Sequence, residues 1–348
     1  MREHGWSCRA DFFFAPPPPI MIEFPFPGRP PAFAWRFFCA NWHRIRAAGN
    51  LLINFIHCRS REENHMMRKL LYTCCALASG VFAHAEVKPL KVLLVIGGCC
   101  HDYSKQQFLI AEGMQARVNC EVKIEYSADS STKPQFAIYQ DAGWAKAFDV
   151  VIHDECAADV TDQKVIDNIV NAHKDGVPAV NLHCAMHSYR KGNFRAPMQP
   201  DAPEAAWFNL LGLQSSRHGA QKPIAVAFTD KEHPIVKGMA DWTTVNEELY
   251  NNVHGIEGNF KTWPTAHAIA EGKQDAGDKP GDNHSVVAWT NEFGPKKTKI
   301  FSTTLGHNND TVADARFLDM VSRGLLWTCG KLDKDGKALP GYEGKKVK

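Results

Sequence analysis

The chain has 348 residues, with 40 basic and 38 acidic side chains and 44% hydrophobic residues. The part after residue 85 is long enough for one domain with a large core, and nothing in the near-balanced charge resembles the clustered basic face of a nucleic-acid binder. Residues 1–85 hold 10 basic and 5 acidic groups, which leaves 30 and 33 in the remainder, so the slight basicity belongs to the leading segment.

Residues 1–65 contain APPPPI and FPFPGRPPAF and keep no helical or strand period. They read as a non-native or disordered extension. Residues 66–85 read as a signal peptide: Arg68 and Lys69 form a basic start, Leu70 to Phe82 an apolar run, and Ala83-His84-Ala85 a small-residue cleavage pattern. The apolar run is shorter than the roughly 20 residues a membrane helix needs. Translation is then expected from Met66 or Met67, and the mature protein from Glu86 is expected to be exported to the periplasm or beyond, with no membrane span. The other reading is a Pro-rich extension followed by a core helix.

Past residue 86 the pattern alternates. A strand is predicted over 90–96, a helix over 104–118 on the stripe Phe108, Leu109, Met114 and Val118, and a strand over 120–126. A strand over 148–153 leads to a helix ending near 174, capped by Asp159 or Thr161, with Val165, Ile166, Ile169 and Val170 inward. Gly176 stops that helix and a strand follows over 177–183. Units of this kind predict an α/β fold with a doubly wound, mostly parallel sheet. The second half is less regular, with a helix near 203–212 and strands near 222–228, 265–271, 284–290 and 298–304. A last helix over 312–328 buries Phe317, Leu318, Val321, Leu325 and Leu326. The domain is expected to span 86–331, with a flexible tail over 332–348.

Four apolar stretches, KVLLVIGGCCHD, DVVIHDE, GVPAVNLHCAMH and TKIFSTTLGHNND, each run into a histidine: His101, His153, His183 and His307. In an open parallel sheet the strand ends lie side by side and bind ligands at their carboxyl edge. Residues far apart in sequence are thereby expected to meet. His183 is expected at a tight strand-to-helix turn, as in a nucleophile elbow. His187, four residues on, would share its face on a helix, the spacing of two ligands to one metal. His307 follows Gly306, with Asp310 or Thr311 starting the last helix. The alternative for each is a histidine satisfied at the top of the core or exposed in a turn. Glu247-Glu248-Leu249-Tyr250 joins acids to an aromatic and suits a hydroxyl-rich ligand.

Six of the eleven cysteines, at 99, 100, 120, 156, 184 and 329, fall after residue 86. Export permits disulfides. Their apolar settings favour free buried thiols instead, adjacent cysteines rarely pair, and no C-x-x-C spacing suggests zinc. Cys184 reads as a small turn residue or as an activated thiolate.

Lys91 to Lys331 resembles the ThuA-like, or trehalose-utilisation, family of the class I glutamine amidotransferase-like superfamily. The matching residues are GGCCHDY, VNLHCAMH, HPIVKGM, EELY and above all KIFSTTLGHNND with FLDMVSRGLLWTCG. The resemblance implies a flavodoxin-like sheet and a role in sugar catabolism linked to oxidised (3-keto) glycosides. Amidotransferases carry a nucleophilic cysteine at the elbow; here His183 holds that position and Cys184 lies one beyond it, which argues against glutamine hydrolysis.

The expected catalytic residues are therefore His183, His307 and Glu248, with His101, Asp102, Asp154, His187, His218 and Tyr250 as substrate contacts. The expected partner is a small-molecule sugar, processed as a lyase, isomerase or hydrolase would by acid–base or metal-assisted chemistry. The cofactor and metal are not specified by the residues. A zinc held by histidines is one option, because a neutral imidazole serves both roles. A noncatalytic sugar-binding module and a hydrolase using Cys184 remain the alternatives, and a homo-oligomer is open.

Overall fold

The computed structural model describes residues 87–200, 202–253, 265–275 and 283–344. The expected extension and signal peptide lie outside the described residues. Strand β1 (Leu90–Gly98) sets the architecture, because its side chains divide between two cores. Val92, Leu94 and Ile96 join one apolar cluster, and Leu93 and Val95 join another. This follows from the two-residue period of a strand. Both sets are buried, so the strand reads as a continuous apolar run, as strands covered on both faces do.

Helices α1 (Tyr103–Arg117) and α5 (Ala315–Thr328) fill the first cluster. Helices α2 (Gln163–Lys174) and α3 (Ala206–Leu211) fill the second. The remaining strands are β2 (Cys120–Ser127), β3 (Val150–Cys156), β4 (Ala179–Leu182), β5 (Ser215–Phe228), β6 (Trp242–Asn252), β7 (Ala266–Lys273), β8 (His284–Phe293) and β9 (Thr298–Thr303). They form one sheet in the order β2-β1-β3-β4-β9-β8-β7-β5-β6.

This is a mixed α/β sheet and not the mostly parallel one expected. Pairings from β2 through β9 are parallel, while β9-β8, β8-β7, β7-β5 and β5-β6 are antiparallel. Part of the reason is length. Only the turn Gly294–Lys297 joins β8 to β9, and a parallel crossover needs a dozen residues or more.

Several boundaries differ from expectation. Asp162, not Asp159 or Thr161, caps α2, accepting from the Lys164 backbone N–H. The last helix is broken: a short α4 (Asn309–Val312) is capped by Asn308, and Asp314 caps α5 separately. The C-terminal segment expected to be a loose tail is anchored as far as it is described. Asn119 N–H donates to the Tyr342 carbonyl at 3.0 Å, and Gly344 N–H donates to the Arg117 carbonyl at 3.0 Å. Among the described residues no helix is long and apolar enough to cross a membrane.

Candidate active site

β4 ends at Leu182, and the chain turns at once into a short 3-10 helix, His183–His187. His183 sits at the turn with φ 39°, in the left-handed region that residues other than glycine rarely enter. Its ring is fixed from behind: Nδ1 donates to the Thr304 carbonyl at 2.7 Å. That bond leaves the lone pair on Nε2. Nε2 accepts from the Tyr250 hydroxyl at 3.2 Å and lies 3.7 Å from Glu248 Oε2.

Two further imidazoles close on it. The ring centroid of His101, just past β1, lies 4.6 Å from that of His183 and 4.8 Å from that of His307. Each of the three histidines offers a nitrogen within 4.8 Å of the other two. His307 Nδ1 lies 3.4 Å from Glu248 Oε1, but it is buried and makes no hydrogen bond; His101 Nδ1 is likewise buried without a partner. Glu248 also accepts from Gln221 Nε2 at 3.3 Å and stands 3.6 Å from His218 Nδ1.

Beside this cluster opens a cavity of about 320 Å³, whose wall includes His101, His187, His218, Glu248, Tyr250 and Arg190. His187 stacks on Tyr250 with centroids 4.1 Å apart and rings 5° from parallel. Its Nε2 is bonded to Ser215 Oγ at 2.9 Å. The expected metal pair of His183 and His187 does not form. A 3-10 turn has three residues per turn, so positions four apart diverge.

Two expected contacts are elsewhere. Asp102 accepts from Ser104 Oγ at 2.7 Å and from Asn309 Nδ2 at 2.9 Å, and so braces α4 without entering the cavity wall. Asp154 is buried inside β3, which runs three residues further than the strand end expected at His153. His153 is also inside β3 and serves the other core: its Nδ1 lies 2.9 Å from Glu155 Oε1 and its Nε2 3.1 Å from His173.

Burial governs the charge state. It lowers His101 to about 3, helped by His307 and His218. His183 is held well below the usual imidazole value by burial and then by His101, and His187 by burial and then by Arg190. Burial, then Glu248, pushes the Tyr250 hydroxyl well up. These rings are therefore neutral at neutral pH, the form that binds metals and accepts protons. The carboxyl of Asp154 is raised by burial and by Glu155.

A family model for trehalose utilisation, ThuA, matches residues 91–328. The chain belongs to the ThuA family. Among solved structures this ThuA chain is similar to a ThuA-like protein from Parabacteroides merdae ATCC 43184, with 16% identity and a TM-score of 0.52. The match covers 74% of this chain and 98% of that one, and it speaks to the fold alone. A ThuA-like protein from Bacteroides uniformis ATCC 8492 is 13% identical over 74% of this chain and 98% of its own, with a TM-score of 0.49. No curated protein sequence matches the chain.

The sulfur chemistry of this ThuA chain departs from the free buried thiols expected. Cys99 is bonded to Cys100 and Cys156 to Cys184, while Cys120 and Cys329 are free. Cys184 is thus not offered as a thiolate nucleophile. The strand ends bring these sulfurs together, a proximity that sequence spacing does not encode.

The histidines are held by residues the sequence did not mark for that role, Glu247 being expected with the ligand contacts. Glu247 accepts from the backbone N–H groups of Gly306, His307 and Asn308. Gln106 Nε2 donates to the carbonyls of Gly306 and His307 at 3.3 and 3.1 Å. Gln106 had a visible cue, a polar residue one helical turn past His101-Asp102. Thr304 had none, since it acts through its backbone.

Proposed function

We propose that this protein acts on a sugar bearing a carbonyl group, a 3-keto glycoside, by removing a proton next to the carbonyl. The observation that carries this reading is the convergence of three imidazoles, His101, His183 and His307, with Glu248 and Tyr250 beside the cavity. The membership of the ThuA, trehalose utilisation, family supports a carbohydrate substrate.

Glu248, held beside His183, His218 and His307, is the base that takes the proton from the carbon next to the carbonyl. The C–H electron pair becomes a carbon–carbon double bond, and charge moves onto the carbonyl oxygen. The Tyr250 hydroxyl, already aimed into the cluster, donates to that oxygen. Return of the proton to the other face or carbon gives an isomer. Expulsion of the glycosidic oxygen from the next carbon, with the proton that Glu248 took passed on to that oxygen through His307, gives elimination. His187, His218 and Arg190 hold the hydroxyl groups.

The donor set also fits a divalent metal such as zinc. Three imidazoles face one another, two have buried nitrogens without partners, and His183 carries the backbone carbonyl bond usual behind a metal-bound histidine. A metal held there supplies Lewis-acid polarisation of the carbonyl.

The test is turnover of a panel of 3-keto glycosides, followed by chromatography, with wild type and Glu248→Gln. The expected result is product formation that falls on the order of 100-fold or more in the variant, as for loss of a general base. Saturable binding with no turnover favours a sugar-binding module. Undiminished turnover in Glu248→Gln together with His183→Ala and His307→Ala overturns the assignment of the site.

The parallel half, in the order β2-β1-β3-β4-β9, supports a flavodoxin-like reading of that part of the sheet. The basic, apolar and small-residue pattern of 66–85 supports export, which mass spectrometry of the N-terminus of the cell-produced protein tests.

A further inference from the structure

Four sulfurs and an imidazole meet at the edge of the cavity, delivered by the carboxyl ends of three adjacent strands. Cys99 and Cys100 follow β1, Cys156 ends β3, and Cys184 follows β4. The two disulfides are not separate features, for Cys99 Sγ lies only 3.4 Å from Cys156 Sγ. The atoms Cys99, Cys100 and Cys156 offer are mutually within 4.8 Å, and so are those of His101, Cys156 and Cys184. A tetrahedral thiolate site with metal–sulfur bonds of about 2.3 Å puts its sulfurs roughly 3.8 Å apart.

A structural staple does not account for this arrangement. Cys99 and Cys100 are neighbours in sequence, so their bond closes no loop and removes little entropy from the unfolded chain. The backbone is nonetheless shaped to bring them here. Cys100 has φ 82°, and Gly98 has φ 102° with its Cα pressed against the Cys156 backbone, where a Cβ would collide with the carbonyl oxygen. All four cysteines line the cavity together with His101, so an entry path exists.

We propose that Cys99, Cys100, Cys156 and Cys184, once reduced, form a second site that binds one thiolate-preferring cation, zinc or copper(I), against His101. Soft sulfur ligands select these ions. Opening the site takes two equivalents of an external dithiol. Each transfers two electrons and two protons to one disulfide, leaves as a cyclic disulfide and yields two cysteine thiols. Cation binding then releases the thiol protons. Cys100 is exposed and Cys99 half-buried, so exchange begins at the outer pair and reaches the inner pair across the Cys99–Cys156 contact. An oxidising compartment keeps the site closed and a reducing one opens it. This site is independent of the sugar chemistry proposed above and shares only His101 with it.

The test titrates cobalt(II), a spectroscopic stand-in for zinc, into the full chain before and after reduction by a dithiol under anaerobic conditions. The expected result is a sulfur-to-cobalt charge-transfer band that saturates at one equivalent, only after reduction. It persists in His183→Ala and His307→Ala and is lost in the double variant Cys156→Ser, Cys184→Ser. Reduced and oxidised wild type are compared with no substitution, so a misfolded variant does not decide the outcome, and Cys99→Ser provides a milder second variant. No band in the reduced wild type overturns the proposal, as does a band unchanged by the serine variants, which would put the cobalt on other cysteines. Cobalt bound without the charge-transfer band, and lost in His183→Ala, also overturns it while leaving the histidine site standing.

Discussion

Glu247 holds the backbone of His307: its carboxylate accepts the His307 N–H at 3.0 Å and the Asn308 N–H at 2.9 Å. The next residue, Glu248, approaches the ring of the same histidine at 3.4 Å. One acid therefore sets where the loop lies and its neighbour meets the side chain that the loop presents.

The first prediction concerns that pair. Glu247→Gln keeps a carbonyl acceptor but loses the charge, and hydrogen bonds to a charged group contribute about 1.5–3 kcal/mol. A drop in stability of that order is expected in urea denaturation, together with weaker catalysis from a displaced His307. Unchanged stability and turnover would mean that α4 alone holds the loop.

Acid should weaken the fold. Burial lowers His173 to about 3, and it packs against His153 with its Nδ1 on the Val177 carbonyl. The unfolded chain has a value near 6.5, so below that pH it binds more protons than the native state and stability falls. Above about 6.5 the contribution is complete. At pH 5 this histidine alone is expected to cost about 2 kcal/mol. A urea midpoint that falls between pH 7 and pH 5 but holds between 7 and 8 is the expected result; a flat profile down to pH 5 would refute the buried neutral state.

A pair of glycine substitutions separates backbone strain from collision. Gly98→Ala suffers both, since φ is 102° and the new methyl meets the Cys156 carbonyl. Gly238→Ala has φ 75° but nothing within 4 Å of the added carbon. Strain alone is expected to cost roughly 1–2 kcal/mol at residue 238. A larger loss is expected at 98, along with an altered cavity edge, measured as the difference in thermal midpoint. Equal losses would mean that the GG turn simply shifts away.

Metal content tests the histidine cluster directly. Protein purified without chelators is expected to carry about one zinc, manganese or iron per chain by mass spectrometry, lost in His183→Ala. Metal-free wild type would leave acid–base chemistry by Glu248 and the imidazoles.

How much of this was legible in the sequence depends on where each residue gets its instructions. β1, β2, α2 and α5 announce themselves through local period, whereas α1 does not, since Phe108 of the expected stripe is exposed and Gln106 and Gln107 are buried; the gathering of His101, His183 and His307 follows from strand ends meeting at one edge. β6 was missed because TTVNEELYNN is polar where it serves the site and the rim of the sheet, so it carries no clean alternation. The first part of β5, SSRHGAQ, fails for the same reason. His153 was placed at a strand end because the apolar run stops there, yet buried polar residues extend β3 to Cys156. The Cys156–Cys184 bond and the grip of Glu247 on residues 306–308 are contacts between residues distant in sequence, and a single sequence does not encode them; the Cys99–Cys100 bond joins neighbours, which rarely pair.

Asn119 carries one more consequence. Its side-chain amide donates to the Val87 carbonyl at 3.1 Å and to the Gly341 carbonyl at 2.8 Å, so one residue clasps both ends of the described domain. Ends held this close can be sewn together. A circular permutant joining residue 344 to residue 87 through a short glycine-rich linker, and reopened in the turn Gly294–Lys297, keeps every strand of the sheet in its place.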